Sequence, residues 1–268
     1  MLTLTFTYFH LKEGAYLPTS LNLHKGDDVM LLDKLQLGFE LEFAHKALPG
    51  KDMFHIFKDK LAHICPNMEH GLPTTTNWYF HSDGTVKTNF NPHEISSPPF
   101  PWRKGLAIFR ECFRVMEDIG ARTNDTCGLH VGISFIDTEV NKQLDKVVLC
   151  AMANDLKWLK KFGRENNSWC TGQWVKFDEL KKVKMHLAEK VRRFGHEADM
   201  YSGLRISKLN YINPYCEFRI MGNIDYHKRW HDVYCATRNF GLAMLYSSVK
   251  NVRSRHRVTD RLKELLDN

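Results

Sequence analysis

Between Leu35 and Phe43 apolar and polar residues alternate without a break. Leu35, Leu37, Phe39, Leu41 and Phe43 fall on one side, and Gln36, Gly38, Glu40 and Glu42 on the other. A period of two is the signature of a half-buried strand. A second such segment places Cys127, Leu129, Val131, Ile133 and Phe135 against Gly128, His130, Gly132 and Ser134. The opening residues, Met1 to Tyr8, also alternate, with no basic lead ahead of an apolar stretch, which predicts a strand rather than a signal peptide. Segments 205–212 and 215–221 predict two further strands joined by the turn dipeptide Asn213-Pro214. Helical spacing appears over 51–64, 139–163, 176–194, 227–250 and 258–267. It is clearest at Leu106, Phe109, Phe113 and Met116, where Gly120 is placed to end the helix. Residues 71–101, broken by Pro, Gly and Asn, predict turns around short strands.

Strands interleaved with helices and closed partly by a hairpin predict an α+β fold, an antiparallel sheet with helices packed on one face. No repeat, low-complexity tract or linker divides the chain. A single domain is expected over 1–268, with a core at about 36–245, an N-terminal extension at 1–34 and a C-terminal helix at about 258–267. With 268 residues, 43% of them hydrophobic, the chain has enough apolar surface for a substantial core. No apolar run reaches the roughly 18–20 residues of a membrane-spanning helix, so the expectation is a soluble cytoplasmic protein without a membrane partner. The formal charge of +7 suits an anionic partner such as a nucleotide or nucleic acid, although no arginine-rich block marks a nucleic-acid surface. Seven cysteines at irregular spacing, without Cys-x-x-Cys, argue against a disulfide framework or structural zinc.

The polar faces of the strands carry the chemistry. Glu40 and Glu42, two apart, project from one side of one strand, and Glu217 and Arg219 do the same on another. His130 lies on the polar face of the strand beginning near Cys127. If these strands share a sheet, one open face collects carboxylates, an imidazole and a guanidinium. Parallel carboxylates within about 5–7 Å repel and raise each other's pKa unless a cation lies between them. A hard divalent ion such as Mg²⁺ supplies that cation and often completes its shell with phosphate oxygens. The other reading of each pair is the solvated side of an amphipathic strand.

Gly38-Phe39-Glu40-Leu41-Glu42, Ser82-Asp83-Gly84-Thr85, Glu94-Ile95-Ser96-Ser97-Pro98, Asn124 to His130 and Cys216-Glu217-Phe218-Arg219 occur in that order. The series resembles the amidoligase family of phages and bacteria, over roughly residues 36–245. The resemblance implies the glutamine synthetase-like carboxylate–amine ligase fold, using ATP and Mg²⁺, with Mn²⁺ as its substitute, to join a carboxylate substrate to an amine acceptor. It assigns Glu40, His130 and Glu217 to one metal, and Glu42 and Glu94 to a second. Arg219 would face the phosphoryl group or the substrate carboxylate, Arg164 would clamp phosphate, and Asn210 would contact the nucleotide. A viral member would act in the host cytoplasm. Typical members read Gly-Leu-His-Val-His, whereas this chain reads Gly128-Leu129-His130-Val131-Gly132. His81 and His93 are the neighbouring candidates to fill that gap. A catalytically silent interaction protein on the same fold, or a nucleic-acid-binding module, are the rival readings.

Overall fold

The computed structural model describes residues 31–46, 50–72, 76–153, 155–168, 170 and 203–248. The strand expected at the start of the chain and the helices expected over 176–194 and 258–267 lie outside these residues. Strand β1 (Leu35–His45) pairs antiparallel with β5 (Gly128–Phe135) on one edge. On the other edge it pairs with β3 (Asn91–Ser96) and with the two-residue β4 (Phe100–Pro101). The short β2 (Tyr79–His81) extends the sheet beyond β3. Beyond β5 it continues through β7 (Cys216–Gly222) to β6 (Leu204–Arg205). The order β2-β3-β1-β5-β7-β6 is antiparallel at every pairing.

The alternation seen in the sequence decides which side of this sheet meets the core. Leu35, Leu37, Phe39, Leu41 and Phe43 are all buried, as are Leu129, Val131 and Ile133 opposite them. Helix α2 (Trp102–Asp118) lies across β1 and stacks Phe109 on Phe39 with ring centroids 4.6 Å apart. Helix α6 (Trp230–Ser248) packs on β5 and stacks Phe240 on Phe218 at 4.4 Å. Helix α1 (Gly50–Leu61) packs against α2, burying Phe57. Helix α2 ends as predicted at Gly120, whose φ of 70° lets the Ala121 N–H reach back to the Met116 carbonyl at 2.9 Å. This is the expected α+β arrangement, an antiparallel sheet covered by helices.

Two local expectations are corrected. The helical segment 139–163 is three short helices, α3 (Thr138–Lys142), α4 (Lys146–Ala153) and α5 (Asp155–Phe162). The first starts with the Asp137 side chain accepting from the Glu139 N–H, a local cap that favours a separate short turn. The segment 205–212 is not a strand. Only Leu204–Arg205 pairs with β7, after which the chain winds into a 3-10 turn, Ile206–Asn210. Asn213-Pro214 therefore belongs to a longer connection rather than to a tight hairpin. The seven cysteines are free thiols, six of them buried. Among the described residues no helix is long and apolar enough to cross a membrane.

Candidate metal and phosphate site

The face of the sheet opposite the helices places polar side chains in register. Glu42 on β1 lies opposite Glu94 on β3, which lies opposite His81 on β2. One pleat along, Glu40 is opposite His130 on β5, and Gly132 is opposite Glu217 on β7. The β5–β7 register shifts at this point, so Arg219 and Ile220 together oppose His130. Such bulges re-aim side chains and are common beside functional sites.

Two ligand clusters result. Donor atoms of Glu40, His130 and Glu217 lie within 4.8 Å of one another, and so do those of Glu42, Asp83 and Glu94. The structure thus brings the five residues from which metal ligation was expected into two groups, Glu40 with His130 and Glu217, and Glu42 with Glu94. Asp83 is the member that sequence reasoning did not assign. It stands in the turn after β2, where its carboxylate also accepts from the Thr85 N–H at 2.8 Å and the Thr85 hydroxyl at 2.7 Å. The resemblance already contained Ser82-Asp83-Gly84-Thr85, which was the available signal.

His130 bridges the two clusters. Its Nδ1–H donates to Glu40 Oε2 at 2.7 Å, and its Nε2 lies 3.5 Å from Glu42 Oε1. Burial works to lower the His130 pKa, but the Glu40 hydrogen bond and the Glu42 charge outweigh it and hold it above its ordinary value. Glu40 is the complement. Burial pushes its carboxyl up, while His130, Arg219 and Lys208 together bring it below the usual range. Glu94 is raised, by burial first and the Glu40 charge second, against the opposing His81, whose Nε2 lies 3.0 Å from Glu94 Oε1. Glu42 docks on the backbone, accepting from the Gly128 N–H at 2.6 Å. A Cβ on Gly128 would stand 2.7 Å from His130 Nε2 and 2.9 Å from Glu42 Oε1, so this close approach explains the glycine.

The opposite flank is cationic. Glu217 Oε1 accepts from Arg219 Nη1 at 2.8 Å, while Arg205 Nη1 and Lys208 Nζ lie 3.7 and 3.8 Å from Oε2. Arg219 is therefore on the open face as expected.

The remaining expectations fare differently. Arg164 is 3% exposed, donating from Nη1 to the Cys127 carbonyl at 2.7 Å and from Nε to Cys170 Sγ at 3.2 Å. The expected phosphate clamp gives way to a brace on the turn entering β5. Asn210 closes the 3-10 turn, and its side chain lies outside the described residues. His93 sits on the core side, 2% exposed with its ring 5.3 Å from that of Phe43, and His81 lies three strands from β5. Neither fills the volume over Gly132. Tyr215 does, since a Cβ on Gly132 would lie 3.1 Å from Tyr215 Cδ2.

No curated protein matches the chain. A solved structure described as a novel glutamine synthase homolog is similar over 88% of this chain at 15% identity, with a TM-score of 0.38. This chain spans 60% of that one. The family profile described as "Putative amidoligase enzyme" matches residues 33–238, which contain β1, β3, β5, β7 and every member of both ligand clusters. That match extends over well more than half of the chain, and the chain belongs to the amidoligase family.

Proposed function

We propose that this protein is an ATP- and Mg²⁺-dependent ligase that joins a carboxylate to an amine through an acyl phosphate. One observation carries the reading: two three-residue ligand clusters stand side by side on one sheet face, with a cationic flank beside them. The donor sets fit hard divalent ions. Glu42, Asp83 and Glu94 offer oxygen alone, and Glu40, His130 and Glu217 add a single imidazole, a set that also accepts Mn²⁺. Bound there, such ions neutralise charge on a transferring phosphoryl group and orient its oxygens.

The residues of the chain supply the rest. Arg219, held by Glu217, presents its guanidinium toward the phosphoryl group or the substrate carboxylate. A carboxylate is a poor electrophile at neutral pH, so its oxygen first attacks the γ-phosphorus, releasing ADP. The amine then adds to the acyl carbon and phosphate leaves, while a carboxylate of the open face accepts the ammonium proton.

The test begins with thermal denaturation. A ligand that binds only the native state raises apparent stability by RT ln(1 + [L]/Kd), so ATP and Mg²⁺ together should raise Tm more than either alone. Glu40→Gln and Glu217→Gln should remove that cooperation while leaving the fold intact. Equal stabilisation of both variants and parent would remove the metal assignment. Oxygen-18 in the substrate carboxylate should pass into inorganic phosphate, with ADP formed in step with amide. AMP and pyrophosphate would indicate an adenylate instead. Absence of both binding and turnover would favour a silent interaction protein.

A further inference from the structure

The 3-10 turn that replaces the expected strand at 206–210 carries Lys208 to the rim of the open face. Its ammonium lies 5.0 Å from the ring centroid of Tyr211 and 5.4 Å from that of Tyr215. The same Tyr215 ring covers Gly132, so one side chain both fills the space over β5 and seats the lysine. Two aromatic faces around an ammonium fix the position of an otherwise flexible four-carbon side chain.

Three cations converge on one carboxylate here. Arg205, Arg219 and Lys208 share Glu217, but only Arg219 is within hydrogen-bonding distance. Among the described residues, the Nε atoms of Arg205 and Arg219 are buried without a hydrogen-bond partner. An ammonium has three donors, and the Lys208 Nζ lies 3.8 Å from the nearest Glu217 oxygen, beyond hydrogen-bonding distance. If Glu217 also serves a divalent ion, these three cations lose part of the carboxylate they share. A compact polyanion with several terminal oxygens restores the balance, and a di- or triphosphate is such a group.

We propose that Lys208, seated by Tyr211 and Tyr215 over Gly132, is a direct contact to the nucleotide polyphosphate at this site. The proposal rests on the ligase reading above and extends it to a residue that neither the family resemblance nor the strand pattern singles out. Tyr215 is a positioning residue, acting through Lys208.

The experiment measures binding of MgATP, MgADP and adenosine to the full chain and to Lys208→Met, Lys208→Arg and Tyr215→Phe, with Mn²⁺ binding measured separately without nucleotide. Loss of a charge-assisted contact predicts that Lys208→Met weakens MgATP and MgADP by roughly 10- to 100-fold. Adenosine affinity should not change. Mn²⁺ affinity should stay the same or tighten, because a cation has left the neighbourhood of Glu217. Lys208→Arg should recover part of the loss, and Tyr215→Phe should give a smaller loss with the same selectivity. If the parent binds MgATP and Lys208→Met binds it equally, the lysine assignment falls while the ligase reading stands. Equal loss of adenosine and MgADP would also overturn it, since that pattern marks a collapsed site. A parent that binds no MgATP removes both readings.

Discussion

Gly128→Ala places one methyl group where the Glu42 carboxylate meets the backbone. The new Cβ would stand 2.7 Å from His130 Nε2 and 2.9 Å from Glu42 Oε1. Ordinary carbon contacts are about 3.5–4.0 Å, so both side chains must retreat by roughly 1 Å. Both obstructing atoms are tips of side chains, and β5 keeps its extended backbone, so the fold should survive. The Gly128 N–H to Glu42 hydrogen bond, 2.6 Å long, should not survive intact. A hydrogen bond to a charged group contributes about 1.5–3 kcal/mol. For a domain of this size that corresponds to a fall in Tm of roughly 3–12 °C. The larger effect should appear at the metal: disturbing a group that orients a ligand costs about 10–100-fold in affinity. Mn²⁺ titration followed by electron paramagnetic resonance should show the parent binding at two classes of site. In Gly128→Ala the class assigned to Glu42, Asp83 and Glu94 should weaken selectively. Two unchanged classes, in a variant whose Tm has fallen, would refute the claim that this backbone contact orients Glu42.

Further expectations follow from the same contacts. His130 carries a raised pKa, so in the metal-free protein its contribution to stability is complete below its unfolded pKa of about 6.5 and is lost as pH rises through the higher folded value. Metal-free Tm should accordingly decline across that window more in the parent than in His130→Gln, and parallel profiles would count against the Glu40–His130 pair. Gly132→His must displace Tyr215, which would meet even a Cβ at 3.1 Å; overpacking of about 1–3 kcal/mol and weaker MgATP stabilisation are expected, and tighter binding would show the position free to accept a histidine. Arg164→Leu removes the charged one of two donors to the Cys127 carbonyl, the Asn223 N–H remaining at 2.9 Å, and should cost about 1.5–3 kcal/mol, with MgATP stabilisation retained; unchanged stability with lost nucleotide binding would restore the phosphate-clamp role.

The residues that were legible in the sequence are those whose position follows from a strict period of two. Glu40, Glu42, His130 and Glu217 sit on strands buried on the opposite face, so parity alone assigned their side of the sheet. Their grouping across strands depends on register, which parity does not give; the ordered motifs of the family supplied it. Asp83 escaped because Asp-Gly reads as a turn, and it does make that turn while also facing Glu42 and Glu94. The pattern over 205–212 places Arg205 and Lys208 in a strand. The 3-10 turn that brings Lys208 to Glu217 leaves no periodic trace in five residues. Arg164 shows the opposite failure: a charged residue beside polar neighbours reads as exposed, whereas its guanidinium finds a carbonyl and a thiol inside the protein.

Because β1 contributes one carboxylate to each cluster, the separation of the two is set by the covalent repeat of a single strand. Residues two apart on a strand are held about 6.5–7 Å apart whatever the surrounding loops do. The clusters are consequently joined by a ruler that no hinge or loop movement can lengthen. Losing or gaining one residue between Glu40 and Glu42 would turn one of them into the core and take its carboxylate from its cluster, so the two clusters stand side by side only at a spacing of two. Asp83, carried on a turn outside that ruler, is the cluster member with latitude: it can shift, or be exchanged, without moving the strand that sets the spacing.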